Sequence, residues 1–179
     1  MQIVIDVIYI LIILCIILIW YIATYNKFNE YNIRINEAEA NIDATLRKRF
    51  DLLNKSIGII KANTDKSSVL EEIANLRSTK LTNFELDRKI YDAISEITSL
   101  KEEFKDLKKC EEFMKIELSL NETEAEIVAA RKYYNDTITD YNKMVKAFPS
   151  NIVSKLGKFK YKLYFDGKNT NNHKSEIKL

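Results

Sequence analysis

From Val7 to Ala23 the chain reads VIYILIILCIILIWYIA, apolar without a break, while from Phe28 to Phe148 apolar residues recur at alternating spacings of three and four with charged residues between them. The first pattern predicts a membrane-spanning helix and the second predicts amphipathic helices. The run has 17 residues, or 21 if it is extended back to Ile3 across Asp6, against the roughly 20 needed to cross the hydrocarbon core of a bilayer. Trp20, Tyr21 and Tyr25 cluster at its C-terminal end and Tyr9 lies near the other, as expected of rings at the two membrane interfaces. A cleaved secretory leader would start basic and end in small residues. Here the leader carries Asp6, Tyr21 and Ile22 precede Ala23, and Leu14 precedes Cys15 where lipoprotein processing wants a small residue. The reading is an uncleaved single-pass anchor over residues 1–25, placing the protein in the cell membrane. Lys27 and Arg34 follow the span and no Lys or Arg precedes it, so the positive-inside rule leans toward a cytoplasmic body.

Beyond the anchor, helix breaks are found in weak signals, because Gly58 is the single glycine between Asn26 and Pro149. Thr64 or Asp65 can cap a second helix and Thr82 or Asn83 a third, with a further break near Leu107 to Cys110. The predicted helices cover about 26–63, 66–78, 83–107 and 110–148. In the first, Phe28, Tyr31, Ile35, Ala38 and Ile42 follow the seam spacing, which meets polar Thr45 and slips by one to Leu46, Phe50, Leu53, Ile57 and Ile60. In the fourth, Phe113, Ile116, Leu120, Thr123, Ile127, Ala130 and Tyr134 form one stripe, continued after a similar slip by Ile138, Tyr141, Val145 and Phe148. Both stripes need partners along their length. The expected fold is all-α: an N-terminal transmembrane helix leading into an antiparallel up-down four-helix bundle with long first and fourth helices. Three glycines, one proline and 30% charged residues agree with helix and leave little punctuation for a sheet.

Three chain reversals return Pro149 to the membrane-proximal end of the bundle. The segment that follows carries Lys155, Lys158, Lys160 and Lys162 with no acid, among alternating aromatic and aliphatic residues. Two readings fit. The lysines can lie against anionic headgroups, each contributing on the order of 1 kcal/mol, or Phe159, Tyr161 and Phe165 can pack back on the bundle with the lysines in water. The bundle with this basic, aromatic segment spans 26–165, and the polar stretch 166–179 has the composition of a disordered tail.

Ordered short motifs then name a family. Asn41-Ile42-Asp43 with Leu46-Arg47-Lys48-Arg49-Phe50-Asp51-Leu52, Ala129-Ala130-Arg131-Lys132-Tyr133-Tyr134-Asn135-Asp136, Tyr141-Asn142 and Phe148-Pro149-Ser150-Asn151 together resemble the signature of the LemA family of bacterial membrane proteins, across about residues 7–165. The resemblance implies a single-span envelope protein carrying an antiparallel four-helix bundle. Asn54-Lys55 stands where the family usually has Pro-Asn, which predicts a missing or softened kink in the first helix, and Leu163 stands where a proline is common.

Read physically, Tyr134 and Tyr141 lie seven apart on one face with Asn135 and Asn142 beside them. Tyrosines can fill a seam while an asparagine selects a register. Arg47 and Arg49 could meet Glu122, Glu124 or Glu126 on the fourth helix. The signature residues Arg47, Arg49, Arg131, Tyr134, Asn135, Tyr141, Asn142, Phe148 and Pro149 are thus expected to pair the first and fourth helices, with Phe148-Pro149 at the base of the anchor.

Candidate chemistry is sparse. The single histidine, His173, lies in the polar tail, outside any rigid setting for Ser-His-Asp or Cys-His catalysis. No Glu-x-x-His pair suited to a di-iron bundle and no phosphate-cradling glycine loop occur in the sequence. Cys15 and Cys110 are too far apart along the helices to pair. Net charge is +2, with acids and bases interspersed as on solvated helix faces, which argues against nucleic acid. The expectation is a non-enzymatic membrane-anchored scaffold without cofactor, metal or small-molecule substrate. Its partners are the bilayer and an unidentified envelope protein. Self-association is open, since the seams are consumed within the bundle and the span offers no small-residue face. The alternative is a module that binds anionic lipid through the lysine segment.

Overall fold

The computed structural model describes residues 1–63 and 81–166. Five helices are found there: α1 (Gln2–Asn63), α2 (Asn83–Glu103), α3 (Lys105–Lys109), α4 (Glu111–Lys146) and α5 (Ser150–Leu156). Among the described residues there is helix and no strand. The expected second helix (66–78), its caps Thr64 and Asp65, and the tail from residue 167 with His173 lie outside the described residues.

The apolar run and the first body helix are one element, because no proline interrupts α1 between the run and Asn63. The helix continues unbroken through Asn54-Lys55, where every backbone N–H is retained and a proline would have removed one. This is the one described helix long and apolar enough to cross a membrane, and its apolar window is wholly exposed.

Internal contacts divide the chain into two compact units. Among described residues the first comprises Met1–Glu37 and Tyr134–Tyr164, the second Ala38–Tyr133 with Phe165 and Asp166. The core of the first unit is Phe28, Ile35, Ile138, Tyr141 and Val153, against which Trp20, Tyr21, Tyr31, Phe159 and Tyr164 pack. In the second, α1 buries Ala38, Ile42, Leu46, Phe50, Leu53, Ile57 and Ile60. There α2 adds Ile90, Ala93, Ile97 and Leu100, α3 adds Leu107, and α4 adds Phe113, Leu120 and Ile127.

Ion pairs within the second unit link its helices. Lys48 reaches Glu126 at 3.0 Å and Arg49 reaches Glu124 at 2.6 Å, so this part of α1 lies beside α4. Arg131 reaches Asp87 and Lys101 reaches Glu117, equal steps in opposite directions along α4 and α2. Thr82 caps α2 with a reciprocal box: its hydroxyl accepts from the Glu85 N–H, and the Glu85 carboxylate accepts from the Thr82 N–H at 2.9 Å. The Thr82 N–H, and then the Thr82 hydroxyl donating to the same carboxylate at 2.8 Å, hold the Glu85 pKa below its ordinary value.

Three sequence expectations change. The third helix ends at Glu103, and the short α3 separates breaks at Phe104 and Cys110, both in extended conformation. The α4 seam stops before Phe148, which is 81% exposed, because α4 ends at Lys146 and the spacing loses its meaning beyond the helix. Finally, residues 150–156 coil into α5 before the chain extends.

Candidate functional site

Two polar arrangements stand out, one in each unit. In the first unit the end of α4 is knitted to α5. Ser150 Oγ lies 2.7 Å from the Met144 carbonyl and 2.9 Å from that of Ala147, supplying partners to carbonyls the helix leaves open. Ser154 Oγ stands 3.2 Å from the Val145 carbonyl, while the Ser154 carbonyl accepts from the Phe159 N–H at 2.8 Å. Phe159 is thereby led onto α1, stacked on Phe28 with ring centroids 4.6 Å apart and edge-on to Tyr25 at 5.3 Å. Gly157 is required by space: a Cβ there would come within 2.5 Å of the Phe159 ring.

Asn142 completes this closure. It is 2% exposed, its Nδ2 donates to the Lys162 carbonyl at 2.9 Å, and its Oδ1 accepts from the Lys162 N–H at 3.0 Å. The extended tail offers both backbone groups at once, which a helix, with its own groups paired internally, does not. Asn142 therefore joins α4 to the tail, where the sequence suggested a register device between helices. Tyr141 beside it is buried edge-on to Phe28 at 5.8 Å, and burial raises its hydroxyl pKa above the ordinary value. Thr139 Oγ1 and the Tyr164 hydroxyl are 3.1 Å apart, a second link from α4 to the tail.

The second arrangement is a buried charge cluster. Arg49 is 2% exposed and gives Nη2 to Glu124, while its Nε and Nη1 have no hydrogen-bond partner among the described residues. Glu124 also faces Arg131 at 3.7 Å, and Arg131 Nη1 lies 2.9 Å from Asp87. Two guanidinium groups and two carboxylates balance. Asp87 nonetheless has a raised pKa: burial outweighs the opposing pull of Arg131 and then Arg49, and Glu124 adds to the rise. Beside the cluster lies a cavity of about 300 Å³ lined by Asp87, Arg88, Tyr91, Asp92, Glu124 and Arg131.

A family model described as the LemA family matches residues 38–179. The chain belongs to the LemA family. No curated protein matches it. Its LemA signature residues are distributed over the two units. Tyr134, Tyr141 and Asn142 serve the first unit's core and tail closure, and the Asn135 carbonyl accepts from Thr139 Oγ1 at 2.8 Å. Arg49 and Arg131 enter the charge cluster. Arg47 does not reach α4 and pairs with Asp43 on its own helix at 2.8 Å. The reason is angular: residues two apart lie about 200° apart around a helix, so Arg47 and Arg49 cannot face one partner. Lys48 takes Glu126 instead, and Glu122 is exposed.

Phe148 and Pro149 form an exposed turn with a cis peptide bond between them. Of the four tail lysines, Lys155, Lys158 and Lys160 are exposed, while Lys162 is half-buried with Nζ 5.8 Å from the centre of the Tyr141 ring. Phe159 and Phe165 pack inward, the latter edge-on to Phe84 at 5.9 Å, whereas Tyr161 stays exposed with Lys146 Nζ 5.0 Å from its ring centre. Asp87 and the tail pairing of Asn142 were missed from sequence. Asp87 falls on the α2 seam three residues before Ile90, a signal that could have marked it.

Proposed function

We propose that this LemA-family chain is a single-pass membrane protein that acts without catalysis, as a helical interaction scaffold whose body is cytoplasmic. The observation carrying this reading is the continuity of α1: the exposed apolar run and the buried seam from Phe28 to Ile60 belong to one helix. The anchor thus leads into the scaffold with no break in the helix at that junction. The test is cross-linking of the full-length protein in membranes followed by native mass measurement in detergent. A mass above that of one chain, from self-association or a retained envelope partner, is expected. A single chain alone from both preparations would sink the scaffold reading. Labelling of Cys110, the cysteine outside the span, by an impermeant maleimide in intact cells would overturn the cytoplasmic orientation, with a denatured sample controlling for its partial burial.

A second reading has its own support: contact of Lys155, Lys158 and Lys160 with anionic headgroups. Phe159, between these lysines, is held on Tyr25 and Phe28, and Tyr25 is only about 7 Å along the helix from Trp20. Headgroup regions are themselves about 5–7 Å deep on each side. With the full chain in bilayers, tail amides should exchange more slowly when phosphatidylglycerol is added to phosphatidylcholine, and the K155Q/K158Q/K160Q variant should lose that difference. Equal exchange in the two lipids rejects this reading.

A further inference from the structure

The outer side of α5 is apolar. Ile152 and Leu156, four residues apart and so on one side of the helix, are 47% and 66% exposed, and Phe148 in the turn leading into α5 is exposed as well. The opposite side is committed, with Val153 in the first unit's core and Ser154 bonded to the end of α4. This orientation is thus fixed by packing, and the three large apolar side chains are held outward in the same short stretch that exposes Lys155 and Lys158.

What covers them follows from where α5 is held. Val153 shares a core cluster with Phe28, and Trp20 and Tyr21, at the end of the apolar run, pack against that cluster. Phe159, just after α5, touches Tyr25. A helix lying at the headgroup and acyl boundary presents large apolar residues to the chains and lysines to the phosphates, the combination found here. We propose that Phe148, Ile152 and Leu156 insert into the headgroup and acyl boundary of the leaflet from which α1 emerges, giving the anchor a second, interfacial attachment. This deepens the lipid-contact reading, from which it differs in a testable respect: apolar insertion needs no anionic lipid.

The test uses the full chain with Trp20→Phe and Phe148→Trp, in phosphatidylcholine vesicles brominated high on the acyl chain, with and without phosphatidylglycerol. Trp20 is the only native tryptophan, so the new residue alone reports. Loss of most of its emission relative to unbrominated vesicles is expected in both lipids. A companion with Trp20→Phe and Ile33→Trp, about 20 Å further along α1, should keep its emission. Quenching at position 148 that survives K155Q/K158Q/K160Q supports insertion even if the lysine contact fails. No quenching at 148 in either lipid overturns insertion, whether or not amide exchange still responds to phosphatidylglycerol. Emission at 148 that shifts with protein density but not with bromine assigns the face to a second copy and overturns it too, as does equal quenching at position 33.

Discussion

In the unit that carries the apolar run, Asn142 is buried neutral and both ends of its amide are matched by the Lys162 backbone. In the other unit, Arg49 is buried just as deeply but charged, with one nitrogen matched and two not among the described residues. The difference separates two uses of buried polarity. A neutral, fully matched group adds modest stability and dictates where an otherwise unstructured tail lies. A buried guanidinium gives up strong hydration, so its ion pair offsets a cost more than it stabilises, while the loss of either partner leaves the other stranded.

That contrast predicts asymmetric responses. Glu124→Ala should cost the most, about 3 kcal/mol, at the low end for a broken buried pair because Glu124 keeps contact with water. Replacing the pair together, Arg49→Met with Glu124→Leu, should restore stability to near wild type; urea unfolding of all three proteins checks this, and a double variant as unstable as Glu124→Ala would mean the pair is itself stabilising. Asn142→Leu should cost about 2 kcal/mol, since two backbone groups of Lys162 lose their partners. Hydrogen exchange should show the loss confined to the tail and the α4 C-terminus, and unchanged protection of Lys162 would refute the tail-closure role. Gly157→Ala should cost about 1 kcal/mol as the Phe159 ring is pushed off Phe28, read as a red shift of Trp20 emission in the same unit.

The smallest effect concerns pH. Because the Asp87 pKa is raised in the folded state, the native protein holds that proton more tightly than the unfolded chain. The associated stability is complete below the ordinary value of 3.8 and is lost as pH rises through the folded value. Relative to Asp87→Asn, the wild type should therefore weaken as pH rises from that point toward neutrality, measured by urea midpoints. The opposite slope would show Arg131 prevailing over burial.

Much of the fold was legible in sequence because its signals are local. The apolar run, the slip from Ile42 to Leu46 and the Thr82 cap each depend on neighbours within a few residues, and each reappears in the structure. The candidate sites were legible only in part. Arg49 with Glu124 could be anticipated from complementary charge, but the choice of Arg49 over Arg47 depends on which side of α1 faces α4, and the helix at 150–156 runs as far as Leu156 into the stretch from Ser154 whose alternation suggested extended chain.

Periodicity along one chain states which side of each helix must be covered, since burial of an apolar stripe is favourable whatever covers it. This much the sequence determined alone: a helix long and apolar enough to cross a membrane, long amphipathic partners and a basic tail. The partner of each polar group is a different matter, because a hydrogen bond depends on distance and direction between residues far apart in sequence. That Asn142 holds the tail rather than another helix, that Arg49 shares its carboxylate with Arg131, and that α5 turns Ile152 and Leu156 outward were decided only by the tertiary structure.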